Sequence, residues 1–334
     1  MKNTFIIPFF LIITFIKTTQ AQYINTTHFA ASKIQQSILL VGLEEQDKAI
    51  INSFEGDQQD IESYKESIEG KNLALKNVID SFWHFTHEVK FLPLKKAKEL
   101  MKQEKEKYTL LQYGEIYGNE TLHERSNISE HKPKMRGWIK KGESFEYNYY
   151  CRQYLENVRV SSIELHAPRK IFEVYLPVVH PSEADLMNAI NHIQHSLAYL
   201  VTSPENTISK YQRESYTRAD ELQKLTLLID QDQLRSNNVT ELQKAYPYPV
   251  KVLTHKEIEK ILKLKDSAYA VITISRFNPD QSVYMVTNAA TGNLYFYSTS
   301  FTFDHGEKRG MYAISIRVKG LTSGILSEIA QAAK

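Results

Sequence analysis

Residues 88–113, EVKFLPLKKAKELMKQEKEKYTLLQY, align without a gap on residues 249–274, PVKVLTHKEIEKILKLKDSAYAVITI, at a constant offset of 161. A self-match of this kind constrains the fold strongly, because two similar stretches are expected to build the same supersecondary unit. Val89, Lys90, Leu92, Lys95, Lys102 and Tyr108 are identical to Val250, Lys251, Leu253, Lys256, Lys263 and Tyr269. Apolar character is kept at Phe91 and Val252, Leu100 and Ile261, Met101 and Leu262, Leu110 and Val271, and Leu111 and Ile272. In each copy a short alternating run predicts a strand. A stripe then follows at spacings of three and four (Leu94, Ala97, Leu100, Met101; Ile258, Ile261, Leu262), the mark of a one-sided helix. A more continuous apolar run closes each copy, as expected for a strand buried on both faces. The unit is therefore βαβ with a right-handed crossover.

The match extends upstream. Ser37–Leu43 and Leu225–Asp230 both predict a strand followed by acidic residues and a helix. The second of these helices is short, near Val239–Tyr246, with Asn238 as a suitable N-cap. The first is long, near Gln58–Phe82, and Gly70 predicts a break in it. Downstream, the second copy turns through Phe277–Gln281 and again at Ala290-Thr291-Gly292-Asn293, where Gly292 can take positive φ. A further turn near Gly306–Gly310, a strand over Met311–Val318 and a helix from about Ser323 to Ala333 complete it. In the first copy, strands near Val158–Leu165 and Ile171–Leu176 and a helix over Ser182–Val201 follow an insertion at 114–157. The fold class is α/β (mixed α+β), with two related domains at 30–205 and 210–334. Each holds a mixed sheet with a βαβ unit and flanking helices, and internal duplication is the expected origin. The polar stretch Thr202–Asn206 around Pro204 is the expected linker.

Residues 1–21 read as a secretory signal. Lys2 precedes a 12-residue apolar run, Phe5–Ile16, and Thr19 and Ala21 supply small side chains before a cut ahead of Gln22. That run is shorter than the ~20 residues a bilayer span needs. The expected location is therefore the periplasm or the exterior, with no membrane span after cleavage. Lys plus Arg is 41 and Asp plus Glu is 39; losing Lys2 and Lys17 leaves 41 − 2 = 39 cations against 39 anions. A neutral mature chain argues against a nucleic-acid partner and is compatible with self-association. One cysteine, Cys151, excludes an intrachain disulfide and a zinc cysteine cluster.

No phosphate-binding glycine loop, dinucleotide-binding turn, nucleophile elbow or HExxH helix is present. No catalytic residue, metal site or cofactor is therefore assigned. His192 and His195 sit three apart, opposite or beside the apolar stripe Leu186, Ile190, Ile193, Leu197, which predicts a solvated helix face. A metal there would need a third ligand such as His180. His84 and His87 flank Phe85 and read as helix-end residues at the rim of the core. Glu44, Glu45, Asp230 and Asp232 follow the first strand of each copy, where open α/β sheets bind ligands; acidic residues also suit helix starts there. The run His131–Lys141 carries Lys132, Lys134, Arg136, Lys140 and Lys141 with Trp138 and no acid. Inside an insertion, it is the expected binding segment for an anionic glycan, a lipid head group or an envelope protein; a solvated hairpin covering the sheet edge is the alternative.

The second copy, with its strand, short helix, Pro249–Leu262 segment and hairpin turning at Ala290-Thr291-Gly292, resembles the curli secretion-channel family and the TolB amino-terminal domain. The resemblance covers about 100 residues of the 334. The whole chain is also similar to uncharacterised exported proteins of Gram-negative bacteria, through the Lys71-Asn72-Leu73-Ala74-Leu75-Lys76-Asn77 helix that ends in Phe82-Trp83. These resemblances imply an envelope location and a small mixed α/β domain, and no activity. The expected function is non-enzymatic binding or assembly in the cell envelope. The alternative is a hydrolase-like enzyme with its site between the two domains, where convergent acids and a histidine would favour it.

Overall fold

The computed structural model describes residues 27–54, 56–117, 159–167, 169–177, 181–234, 239–278, 281–301 and 321–334. Two five-stranded mixed sheets organise them. Helix α1 (His28–Gln36) leads into β1 (Ile38–Leu43), then α2 (Lys48–Ser53), α3 (Gln58–Phe82), β2 (Glu88–Pro93), α4 (Leu94–Gln103), β3 (Tyr108–Tyr117), β4 (Arg159–His166) and β5 (Lys170–Tyr175). Helix α5 (Glu183–Val201) follows, then α6 (Ile208–Thr217), β6 (Thr226–Asp230), α7 (Val239–Ala245), β7 (Val250–Leu253) and α8 (His255–Lys263). The chain ends with β8 (Tyr269–Asn278), β9 (Gln281–Asn288), β10 (Leu294–Phe301) and α9 (Ser323–Ala332).

The strand orders are β2-β1-β3-β4-β5 and β7-β6-β8-β9-β10, the same order built from elements in the same sequence. In both sheets the first three strands are parallel and the last two join antiparallel. Register agrees as well. Leu39 pairs with Val89 and Thr109, and Leu227 pairs with Val250 and Ala270. Both partner pairs differ by the offset read from the sequence, 250 − 89 = 161 and 270 − 109 = 161.

Alternation along each strand sends residues to opposite layers. From β1, Leu40 meets Ala97 of α4 and Leu110, while Leu39 and Val41 enter a larger core with α1, α3 and α5. That core continues into the second half of the chain through Leu228, Ile258, Leu262, Val271, Met285 and Leu294. On the far side of the second sheet, Leu227, Ile229, Ile272 and Val286 pack on α7 and α9. The order of layers is α4, first sheet, a helical layer containing α5, second sheet, then α7 and α9. A fully buried Leu or Ile contributes roughly 1.5–3 kcal/mol of transfer energy, so the layer shared by both sheets is a large part of what holds the molecule together.

Helix α5 is capped by Ser182 and Asp185, which exchange hydrogen bonds in a capping box. Its stripe Leu186, Ile190, Ile193, Leu197 is fully buried, and so is His192 on another face. This corrects the expected solvated face for His192 and His195. The side opposite the stripe meets the second sheet instead of water. Asn188 donates to Thr273 at 2.7 Å and accepts from Thr287 at 2.7 Å, and the His192 Nδ1 lies 3.1 Å from the Gly292 carbonyl oxygen. His195 is partly covered by the Tyr211 ring, 6.0 Å away between centroids. A second correction concerns α3, which runs unbroken through Gly70. The Asp57 cap and the buried row Lys71, Leu75, Val78, Ile79, Phe82 hold it, and this outweighs the ~1 kcal/mol penalty of one helical glycine.

The turn before β10 follows the expected pattern: Gly292 has φ of 72°. The signal segment, Cys151, His180, Asn238 and the turn and strand expected over 306–318 lie outside the described residues. Among the described residues, no helix is long and apolar enough to cross a membrane.

Candidate functional site

Three segments meet where α5 begins. Strand β6 ends on Asp230, whose Oδ1 accepts from the Asp232 N–H at 3.0 Å and so caps a short 3-10 turn, Gln231–Gln233. Strand β7 ends at Leu253, and Thr254 with Glu257 forms the capping box that starts α8. That places His255 in the first turn of α8, against the carboxyl end of β6. The connections from β6 and β7 leave for opposite faces of the sheet, to α7 and α8, and a polar cluster gathers where the α5 cap, the end of β6 and the start of α8 meet.

Inside it, His255 Nδ1 lies 2.7 Å from Asp230 Oδ2, and its Nε2 lies 2.5 Å from Ser182 Oγ and 3.6 Å from Asp185 Oδ2. The Ser182 hydroxyl donates to Asp185 Oδ2 at 3.0 Å and accepts from the Asp185 N–H at 3.2 Å. The hydrogen bond to Asp230 is the main cause that lifts the His255 pKa to about 9, against desolvation and with help from Asp185. Burial pushes the Asp185 carboxyl upward, and the charge on His255 opposes this.

The contacts run Ser182, His255, Asp230, the order of a nucleophile, a base and its orienting acid. The electrostatics oppose that chemistry. The hydrogen bond to Asp230 raises the His255 pKa, which favours the protonated ring and opposes transfer of the serine proton to it. The hydroxyl is already committed as a helix cap, and the Asp185 carboxylate beside it would repel a developing oxyanion. The arrangement is suited to joining segments: Asp230 and Asp185 share one imidazolium, and Ser182 links the ring to α5. A second ion pair, Lys263 to Glu183 at 3.0 Å, ties α8 to α5 beside it. Among the described residues, no group of three or more His, Cys, Asp and Glu has the arrangement of a metal site.

The four acidic positions expected from the sequence separate. Asp230 belongs to the cluster. Asp232 supports it only through its backbone N–H and is itself exposed. In the first sheet, Glu44 pairs with Lys71 at 3.5 Å, and Asn72 bridges its backbone N–H and carbonyl. Glu45 accepts from the Lys95 N–H in the first turn of α4 at 3.3 Å. By register, Gly42 holds the place of Asp230 and Leu94 that of His255. There a Cβ on Gly42 would fall 2.5 Å from Leu94 Cδ1. The ionic contact of the second half is thus an apolar contact in the first.

Nothing in the sequence marks Ser182, Asp185 and His255 as a group. Both capping boxes, Ser-x-x-Asp and Thr-x-x-Glu, are visible in the sequence. Their meeting is not, because 73 residues separate Ser182 from His255. Lys132, Lys134, Arg136, Trp138, Lys140 and Lys141 lie outside the described residues. The structure does place the ends of their insertion: β3 and β4 pair as far as Tyr117 and Arg159, whereas β8 and β9 close after Asn278 and Gln281. The insertion thus takes the place of a tight hairpin turn.

A second polar group occupies the α4 side of the first sheet. Glu164 receives hydrogen bonds from Gln112 at 2.8 Å and Lys170 at 3.1 Å and contacts His166 at 2.9 Å, and Lys170 also reaches Glu173 at 2.9 Å. Burial pushes the Glu164 carboxyl up, but the bonds with His166 and Lys170 outweigh it and hold the pKa at about 2. No family model matches the chain, and no curated protein or solved structure matches it.

Proposed function

We propose that the protein is an exported, non-enzymatic binding or assembly protein of the bacterial cell envelope. In this reading the two sheets form a frame that carries the insertion, which begins only after β3 ends at Tyr117 and returns at Arg159 rather than spanning 114–157. The observation that carries it is the long segment joining β3 to β4 where β8 and β9 close tightly, together with a Ser182 hydroxyl already engaged as a helix cap. The match of strand order and register supports a duplicated unit as the origin of the frame. An insertion in place of one hairpin turn supports a binding role for its basic run. Lys132, Lys134, Arg136, Lys140 and Lys141, with Trp138 among them, suit an anionic surface: a glycan, a lipid head group or an acidic envelope protein. The periplasmic or secreted location rests on residues 1–21 and on the resemblances of the sequence.

The test compares partner capture from envelope extract by three mature proteins. These are the wild type, a variant with the five cations changed to Ser, and Ser182→Ala. Capture should weaken with salt, since charges are screened over about 8 Å at 0.15 M. It should be lost in the five-fold variant and kept in Ser182→Ala. The connectivity of Ser182, His255 and Asp230 favours one second reading, a serine hydrolase. Covalent labelling of Ser182 by a fluorophosphonate probe, with ester hydrolysis abolished in Ser182→Ala, would establish that reading and reject ours.

A further inference from the structure

We propose that Ser182, Asp185, Asp230 and His255 form a proton-dependent latch, which clamps the start of α5 to the second sheet while the imidazole carries both protons and loosens when one leaves. The three segments in contact come from distant parts of the chain: the α5 cap, the end of β6 and the start of α8. With both ring nitrogens protonated, every contact is satisfied. Nδ1–H faces Asp230, Nε2–H faces Ser182, and the Ser182 hydroxyl remains free to donate to Asp185.

Loss of one proton breaks this sequence. If Nδ1–H stays on Asp230, the Nε2 lone pair turns toward Ser182 and Asp185. Ser182 can then donate to the ring or to Asp185, not to both. Asp185 and Asp230 also lose the cation between them, and two largely buried, poorly screened carboxylates are left to repel. The other charged groups facing the ring do not replace it. From α8, Glu259 adds negative charge, and Lys263 is engaged with Glu183 and Glu259. Glu257 is held in its own cap with Thr254. From α5, Glu183 is taken by Lys263 and by Asn77 of α3. Next to Asp230, Asp232 contributes only further negative charge. At the equivalent place in the first sheet, Gly42 and Leu94 meet instead.

His255 titrates near 9 in the fold against 6.5 as its ordinary value. Its contribution is complete below 6.5 and is lost as pH rises through about 9. Amide hydrogen exchange of the full-length mature protein reads this directly. After correction for intrinsic rates, exchange over 182–190 and 254–263 should rise on the order of ten-fold or more between pH 7 and 10, relative to 325–330. In His255→Gln, which cannot carry the second proton, the faster exchange should already be present at pH 7 and should not change further. If that variant does not fold, ring-labelled wild type still decides: the His255 imidazole should titrate near 9, with the Asp185 amide resonance moving at the same midpoint. A midpoint near 6.5, or the same exchange profile in wild type and His255→Gln, would overturn the latch.

Discussion

Two histidines show how position alone sets opposite behaviour. His192 is fully buried in α5, and burial lowers its pKa to about 4. Its neutral form belongs to the fold, so its contribution is present above 6.5 and is lost as pH falls through about 4. His255 works the other way and is lost upward through about 9. From these two groups, stability should peak between pH 6 and 7. Melting temperatures from pH 4 to 10 check this, and His192→Gln should flatten the acid side alone. An acid limb as steep in His192→Gln as in wild type would show that other groups govern it. Asn188 makes a sharper case, since its amide bridges two threonines on different strands. Asn188→Ala leaves both hydroxyls facing a void and should cost about 2–4 kcal/mol in chemical denaturation. Gly292→Ala combines a φ of 72° with a Cβ placed 2.4 Å from the Asn191 carbonyl carbon. It should cost more than the ~1 kcal/mol that positive φ alone imposes on an alanine.

The same residue type has a different meaning inside an element. Gly70 lies within α3, and a Cβ there meets nothing within 4 Å. Gly70→Ala should therefore stabilise the protein by about 0.5–1 kcal/mol, by lowering the freedom of the unfolded chain. A loss of stability on denaturant titration would mean that α3 needs its flexibility there. The sequence made Gly70 look like a stop because propensity is local, and the row from Lys71 to Phe82 that carries the helix is tertiary. The strands and crossovers were legible for the reverse reason: their periodicity and the 161-residue offset are both written along the chain. Helix α5 was legible as a helix but not as a shared one. Its stripe at Leu186, Ile190, Ile193 and Leu197 marks one buried face, and nothing local marks the polar opposite face as buried too. Of the site, Asp230 was legible as a residue at the end of a strand. Ser182, Asp185 and His255 were legible only as parts of helix caps, because their convergence depends on how the two sheets meet.

At the scale of the whole molecule, one packing relation joins the two sheets. Helix α5 follows the first sheet and fills the α8 side of the second, where Thr273, Met285, Thr287 and Tyr297 line up by register. The equivalent side of the first sheet carries Gln112, Glu164, His166 and Glu173 instead. Helix α9, which follows the second sheet, buries Ile325, Leu326, Ile329 and Ala330 and turns Ser323, Gly324, Glu328 and Gln331 to solvent. Neither surface reproduces the pair that joins the two halves. Because α5 belongs to both sides of the join, the halves should unfold together. Ile190 lies on the stripe turned away from the second sheet, and Ile190→Ala should cost about 2–5 kcal/mol. If the core is one cooperative unit, that loss should appear equally in the slowest-exchanging amides of β3 and of β9, although only the former sheet is near the deleted atoms. Exchange of β9 that keeps its wild-type rate, while β3 loses protection, would show instead that each half holds its own stability and that α5 merely lies between them.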